Sequence, residues 1–290
     1  RSAIDGSVQY YALRPGTSNA ERQALILSLH GASVEATGQA DAYRASDWAN
    51  IVCPTNRRPF GFDWEDWGRM DAMEVLDLAT AALLPDPQRV YLTGHSMGGH
   101  GTWHLGTLYP GRFAAIAPSA GWISFWTYSG AAVYQDSQAV ERILKRAVSV
   151  SDTLVQASNL NGLGVYILHG DRDDNVPVAQ ARQMRRQLGE FHPDFAYYER
   201  PGAGHWWGNE CVDWPPLMQF LKERTRPNAR DVRRVQFTTP HPGASANLAW
   251  LTIEAPLRQM LPSSVNIGLD PAKRTFSGST ANVARLTIQL

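Results

Sequence analysis

Residues 90–99 read Val-Tyr-Leu-Thr-Gly-His-Ser-Met-Gly-Gly: an apolar strand runs into a serine with a glycine two residues away on either side, and a helical pattern follows as far as Pro110. A serine hydroxyl is a poor nucleophile until its oxygen stands clear of the sheet and meets a base. A sharp strand-to-helix turn meets the first condition by holding Ser96 in strained backbone. Gly94 and Gly98 leave space there, where a β-carbon would strike neighbouring backbone. The helix that follows points its N-terminus at the serine, which favours negative charge developing at that spot. The chemistry this pattern suggests is nucleophilic attack on a carbonyl carbon.

Such an attack needs an oxyanion hole, a base and a group to orient the base. One oxyanion donor is expected from the backbone N–H of Met97, the residue after the serine. The second is expected from the loop after an earlier strand, and Leu27-Ser28-Leu29-His30-Gly31-Ala32-Ser33 supplies one; Ala32 is the preferred donor, with Gly31 and Ser33 as alternatives. The acid should follow a later strand. Val165–Leu168 is that strand, and Asp171, Asp173 and Asp174 compete behind it, since helix capping uses aspartate equally well. The base should come last, and His205 sits in the glycine-flanked loop Gly202-Ala203-Gly204-His205 after a strand ending at Arg200.

The other histidines have plainer readings. His95 is expected to pack beneath the elbow, and His30 and His169 end strands as hydrogen-bonded structural residues; His192 and His241 have no supporting context. His100 and His104 are four apart on a helix, the spacing of two metal ligands, but no carboxylate or third ligand stands near them in the sequence. They are read as helix packing, so neither a metal nor an organic cofactor is expected.

The elements around these residues alternate. Val8–Leu13, Ala24–Leu29, Asn50–Cys53, Val90–Thr93, Phe113–Ala117, Gly164–Leu168 and Phe195–Arg200 read as strands, several of them continuous apolar runs of the kind covered on both faces. Between them, Ala72, Val75, Leu76, Ala79, Ala82 and Leu83 form one helical face that stops before Pro85, and a second helix runs from Pro177 to Gly189. This alternation predicts an α/β fold over residues 1–226, with a mostly parallel central sheet flanked by helices. After Arg226 the pattern changes to strands at Val232–Phe237, Leu248–Ile253, Val265–Leu269 and Ala284–Leu290, separated by Pro-, Gly- and Ser-rich turns. Residues 227–290 are therefore expected to form a small C-terminal β-rich module, either docked on the first domain or cut short at Leu290, since a full β-sandwich usually takes about 100 residues.

Composition narrows the function classes. The 290 residues carry 27 basic and 27 acidic side chains, a balance that argues against a nucleic-acid binder or an anionic membrane surface as partner. Apolar residues make up 43%, enough for a large core, and no apolar run approaches the ~20 residues that span a bilayer. Cys53 and Cys211 are too few for a disulfide scaffold; they are either one bridge or two free thiols. The chain begins at Arg1 with neither an initiator Met nor a signal peptide, as expected of a processed or excised piece.

Taken together, Gly94-His95-Ser96-Met97-Gly98-Gly99, His169-Gly170-Asp171-Arg172-Asp173-Asp174-Asn175-Val176-Pro177 and Gly202-Ala203-Gly204-His205 resemble the prolyl oligopeptidase branch of the α/β-hydrolases, including its feruloyl-esterase-like and polyester-depolymerase-like bacterial esterases. The likeness covers roughly residues 20 to 225. It implies an α/β-hydrolase fold in which Ser96 is nucleophile, His205 base and then acid, and Asp173 the orienting carboxylate, four residues after the strand-end histidine. It also implies that Met97 and the His30–Ala32 loop bind the oxyanion. The chain departs from prolyl peptidases in showing no β-propeller ahead of the hydrolase pattern. That favours a serine carboxylic-ester hydrolase working through an acyl-enzyme over a serine peptidase, and both over a non-catalytic binding module.

Ten tryptophans are many for this length, and their clustering suggests a substrate. Phe60, Phe62, Trp64 and Trp67 follow one strand, Trp122, Phe125, Trp126 and Tyr128 follow another, and Trp206 and Trp207 adjoin the proposed base. An aromatic-lined cleft using Trp122, Trp126 and Trp206 is expected, suited to a small-molecule or polymer-linked ester with an aromatic acyl group. The alternative is that these rings pack the loops. The compartment leans extracytoplasmic.

Overall fold

In the computed structural model, residues 1–58, 63–128 and 137–289 are described. Seven strands form the central sheet: β1 (Ala12–Arg14), β2 (Ala24–Leu29), β3 (Ala49–Cys53), β4 (Val90–His95), β5 (Ala115–Ser119), β6 (Gly164–Gly170) and β7 (Phe195–Arg200). Their order is β1-β3-β2-β4-β5-β6-β7, with only β1 antiparallel to its neighbour. Every residue of β2, β4, β5 and β6 is buried, so these strands are covered on both faces, as their continuous apolar runs require.

Among the described residues, seven helices accompany the sheet: α1 (Ala36–Asp41), α2 (Asp66–Leu83), α3 (Met97–Leu108), α4 (Ala139–Ala147), α5 (Thr153–Gln156), α6 (Ala179–Gly189) and α7 (Pro215–Lys222). Alternate residues of the strands feed two cores. Leu25, Leu27, Leu29, Val90 and Leu92 pack with α2, α3 and α6 on one face. Ala24, Ile26, Ala49, Ile51 and Tyr91 pack with α1 and α7 on the other. This is the α/β-hydrolase arrangement. The chain leaves β3 on one side and returns at β4 on the other side of β2, so the loops after β2 and β4 open a crevice at the C-terminal strand ends.

The tail forms two three-stranded antiparallel sheets. One is β12-β11-β8 and the other β13-β10-β9, from β8 (Arg234–Thr239), β9 (Asn247–Leu248), β10 (Leu251–Pro256), β11 (Ser263–Asp270), β12 (Thr275–Ala281) and β13 (Val283–Ile288). Val235, Phe237, Trp250, Leu251, Ile253, Val265 and Ile267 share a core of their own between them. β12 is a strand that the sequence pattern does not reveal. Thr-Phe-Ser-Gly-Ser-Thr-Ala offers little apolar alternation, and the pairing with β11 along its whole length supplies what propensity lacks. Leu290, the last residue of the expected final strand, lies outside the described residues.

The tail also reaches the helix that carries the elbow. Asn159, in the 3₁₀ turn Ala157–Gly162, donates to the carbonyls of Thr107 and Thr238 at 2.8 and 2.7 Å. The Ser245 hydroxyl donates to the Leu108 carbonyl. Carbonyls in the last turn of a helix have no intrahelical partner. Tail and turn together satisfy those of Thr107 and Leu108, at the end of α3 opposite Ser96.

Candidate active site

Ser96 occupies φ 60°, ψ −119°, a backbone region that L-residues seldom adopt, at the turn between β4 and α3. The turn is possible because β4, α3 and the end of β2 approach at backbone distance. A β-carbon added at Gly98 would lie 1.9 Å from the carbonyl oxygen of Leu29, and one at Gly94 would lie 2.4 Å from that of Gly98. Both obstacles are packed backbone, of β2 in one case and of α3 in the other, and cannot swing aside. Gly98→Ala is therefore expected to cost about 3 kcal/mol or more, read from the urea midpoint. A midpoint near wild type would show that the elbow tolerates a side chain.

The Ser96 hydroxyl faces His205 Nε2 at 2.8 Å, and His205 Nδ1 faces Asp173 Oδ2 at 2.8 Å. Three segments far apart in sequence thus meet at the rim of one sheet. Of the three competing aspartates, Asp173 is the one whose carboxylate reaches His205. Asp171 instead accepts the Gly202 N–H at 2.6 Å, which ties down the turn ahead of the His205 loop, and Asp174 is exposed. The Asp173 side chain is fully buried. Burial by itself would raise its pKa, but the hydrogen bonds from His169 and His205 and from the N–H groups of Asn175 and Val176 outweigh it. They hold the carboxyl well below its ordinary range.

His169 is a participant that sequence reasoning placed only as a structural strand end. Its Nε2 lies 3.1 Å from Asp173 Oδ2, the same oxygen that His205 Nδ1 meets, and 2.9 Å from the Val176 carbonyl, so it helps to hold that carboxylate oxygen in place. The available signal was the four-residue spacing His169-Gly-Asp-Arg-Asp173. His95 does more than pack beneath the elbow. Its ring lies 4.9 Å from that of His205 and it lines the cleft. Burial, and then the neighbouring His205, push its pKa down to about 3, so it stays neutral.

A cleft of about 590 Å³ opens over Ser96 and His205, walled by Gly31, Ala32, Ser33, Val34, Ala42 and Trp206 among others. The loop after β2 therefore borders Ser96. A β-carbon at Gly31 would touch Ser96 Cβ at 3.4 Å. Among the described residues no acceptor takes the N–H of Ala32 or of Met97. The loop is held by Trp64, whose indole N–H donates to the His30 carbonyl at 3.1 Å.

Comparison with known proteins follows the same lines. The sequence pattern of the prolyl oligopeptidase family matches residues 56–223, which include Ser96, Asp173 and His205. The chain belongs to the prolyl oligopeptidase family. An uncharacterized secreted protein of Arthroderma benhamiae is 31% identical over 266 residues, 82% of this chain and 28% of that protein. Two solved structures share the fold. One is a thermostable esterase, with TM-score 0.56, 18% identity, and coverage of 74% of this chain and 59% of that one. The other is a putative dipeptidyl aminopeptidase IV from Bacteroides ovatus, with TM-score 0.61, 17% identity, and coverage of 77% and 35%. The chain spans a third or less of the length of the curated relatives it matches. Family and fold support an enzyme of the serine-hydrolase type.

In this prolyl oligopeptidase family member the aromatic clusters divide. Trp206 is 53% exposed and lines the cleft. Trp122 does not: it is buried, stacked between the rings of His100 at 4.7 Å and Tyr128 at 4.1 Å. Trp126, half-buried in the 3₁₀ turn Phe125–Thr127, is likewise not among the cleft residues. The expectation that Trp122 faces the cleft meets a physical obstacle: helix α3 offers it a flat imidazole to stack on, and burial wins. Phe60 and Phe62 lie outside the described residues.

The possible bridge does not form either. Cys53 and Cys211 are buried free thiols. Cys53 belongs to the core between the sheet and helices α1 and α7. Cys211 sits under the His205 loop, where its sulfur accepts the Trp207 N–H at 3.2 Å, and burial pushes its pKa up to about 12. No helix among the described residues is long and apolar enough to cross a membrane.

His100 and His104 do have carboxylate company, contrary to the sequence reading. The loop before α2 brings Glu65 to 3.0 Å from His100 Nε2 and to 3.2 Å from His104 Nε2, and Asp63 to 3.7 Å from His100 Nε2.

Proposed function

We propose that this protein is a serine carboxylic-ester hydrolase acting through an acyl-enzyme. The observation that carries the reading is the unbroken relay Ser96–His205–Asp173, with 2.8 Å at each step, opening on a cleft. The ionised Asp173 accepts the His205 Nδ1–H, which leaves the Nε2 lone pair directed at the Ser96 hydroxyl. Nε2 takes the hydroxyl proton as Oγ attacks the ester carbonyl. The N–H groups of Ala32 and Met97, which no acceptor takes among the described residues, stabilise the oxyanion, a contribution of about 3 kcal/mol for each such donor. His205 then protonates the departing alkoxide, and a water molecule repeats the cycle to release the acid.

Val34, Ala42 and the exposed indole of Trp206 give the cleft an apolar wall suited to an aromatic or alkyl acyl group, and the openness of the site suits an ester carried on a polymer. Residues 227–290 would form a separate β-module docked behind the catalytic domain of residues 1–226. The secreted relative supports an extracytoplasmic location.

A peptidase is the second reading, favoured by the family match itself. The two separate on matched substrates: kcat/KM for methyl ferulate and alkyl acyl esters against that for acyl-prolyl anilides of the same acyl chain. Esters are expected to be turned over and the prolyl anilides to resist. A prolyl anilide cleaved faster than its matched ester would replace the esterase assignment with a peptidase one.

A further inference from the structure

We propose that Asp63, Glu65 and His100 form a binding site for one divalent transition-metal ion of the zinc type, one helical turn beyond Ser96 and outside the catalytic relay. Their ligand atoms all lie within 4.8 Å of one another. Zinc binds nitrogen and oxygen at about 2.0–2.2 Å with tetrahedral geometry, which places neighbouring donors about 3.4 Å apart. The separations from His100 Nε2, 3.0 Å to Glu65 and 3.7 Å to Asp63, bracket that edge.

Two further observations point to a cation. His100 is fully buried, and its Nδ1 faces the Trp122 carbonyl at 3.1 Å. That carbonyl takes the Nδ1–H, so the hydrogen that Nε2 shares with Glu65 at 3.0 Å is the one a metal ion would displace, with Nε2 already aimed at two carboxylates. A metal-ligating histidine is commonly oriented in this way by a backbone carbonyl behind it. Next to it, His104 is also fully buried, and neither of its ring nitrogens has a hydrogen-bond partner among the described residues. Its Nε2 stands 3.2 Å from the second oxygen of Glu65, so a second imidazole borders the same carboxylate.

Among the described residues the only basic groups in ion-pair reach of Asp63 or Glu65 are these imidazoles. Imidazole mixed with carboxylate suits zinc and its first-row neighbours. Calcium and magnesium want six or more oxygens or several retained waters. The Asp63 side chain is about a quarter exposed and gives a bound ion a way in.

A metal here would act on positioning. Trp64 lies between the two carboxylates in sequence and holds the His30 carbonyl at the base of the loop that borders Ser96. Its ring packs where a β-carbon at Gly101 of α3 would come within 2.5 Å. Tying Asp63 and Glu65 to His100 would thus pin Trp64, and with it the loop after β2, onto the helix that bears the nucleophile.

The test uses untagged, chelator-treated protein titrated with zinc chloride, with metal per chain measured after gel filtration and thermal unfolding followed in parallel. One zinc per chain is expected, with Tm raised by about 5 °C or more when zinc stands a hundredfold above Kd. Cobalt in its place should give the visible absorption of a four- or five-coordinate ion. Glu65→Gln should lose stoichiometric binding. The more exposed Asp63→Asn, checked for native circular dichroism, should weaken it tenfold or more. Absence of stoichiometric binding, or zinc bound equally well by wild type and Asp63→Asn, would overturn the proposal.

Discussion

Replacing Ser96 by Ala is expected to lower kcat/KM for p-nitrophenyl acetate by about 10⁴-fold or more. The reasoning rests on what is lost and what is left. Alanine removes the hydroxyl oxygen that His205 Nε2 meets at 2.8 Å, and with it the nucleophile proposed at the head of the relay. It keeps a β-carbon at φ 60°, so the strain at the elbow is unchanged and the sheet and α3 stay in place. Stability should therefore shift by less than about 1 kcal/mol, against a collapse in turnover. A fluorophosphonate probe should label wild type at Ser96 and leave the variant unlabelled. Turnover within tenfold of wild type, in a sample free of contaminating esterase, would remove Ser96 from the nucleophile's role.

Asp173→Asn should lower kcat by about 10³–10⁴-fold with the fold intact, because the loss is one of tautomer rather than of shape. Asp173 Oδ1 accepts the N–H groups of Asn175 and Val176, and an asparagine carbonyl can keep both. Its NH₂ then faces His205 Nδ1 in place of an acceptor. The ring turns to the tautomer carrying its proton on Nε2, which cannot take one from Ser96.

The same substitution has a signature in stability. Asp173 titrates below its ordinary 3.8 in the folded protein, so the unfolded chain takes up the proton first as pH falls. Its contribution is complete above that unfolded value and is lost as pH drops through the lower folded one. Asp173→Asn should flatten the acid limb of the unfolding free energy below about pH 4. An acid limb identical to wild type would show that the carboxylate gains nothing from its four hydrogen bonds.

Much of this was legible in the chain because it is locally encoded. Glycines two residues either side of Ser96, after an apolar run and before a helix, mark the turn within ten residues, although the backbone that Gly98 must clear, at Leu29, comes from a distant strand. Continuous apolar runs at β2, β4, β5 and β6 describe strands covered on both faces whatever their neighbours. The resemblance to a family then chose Asp173 among three aspartates that local physics could not separate.

What the sequence by itself determined was the strand-and-helix alternation, the elbow, the loop that ends in His205 and the change to β-structure after Arg226. Tertiary structure alone decided which polar groups meet. His169 reaches across to Asp173, Trp122 turns inward onto His100, and Cys53 and Cys211 end as separate buried thiols. Glu65 crosses thirty-five positions to His100 and thirty-nine to His104, two histidines whose own neighbourhood offers no acid. The reason is the range of the forces. Backbone sterics and apolar periodicity act over a few residues and leave their mark in the local string. A hydrogen bond or a stacked ring pair exists only once a sheet has brought distant segments within a few ångströms.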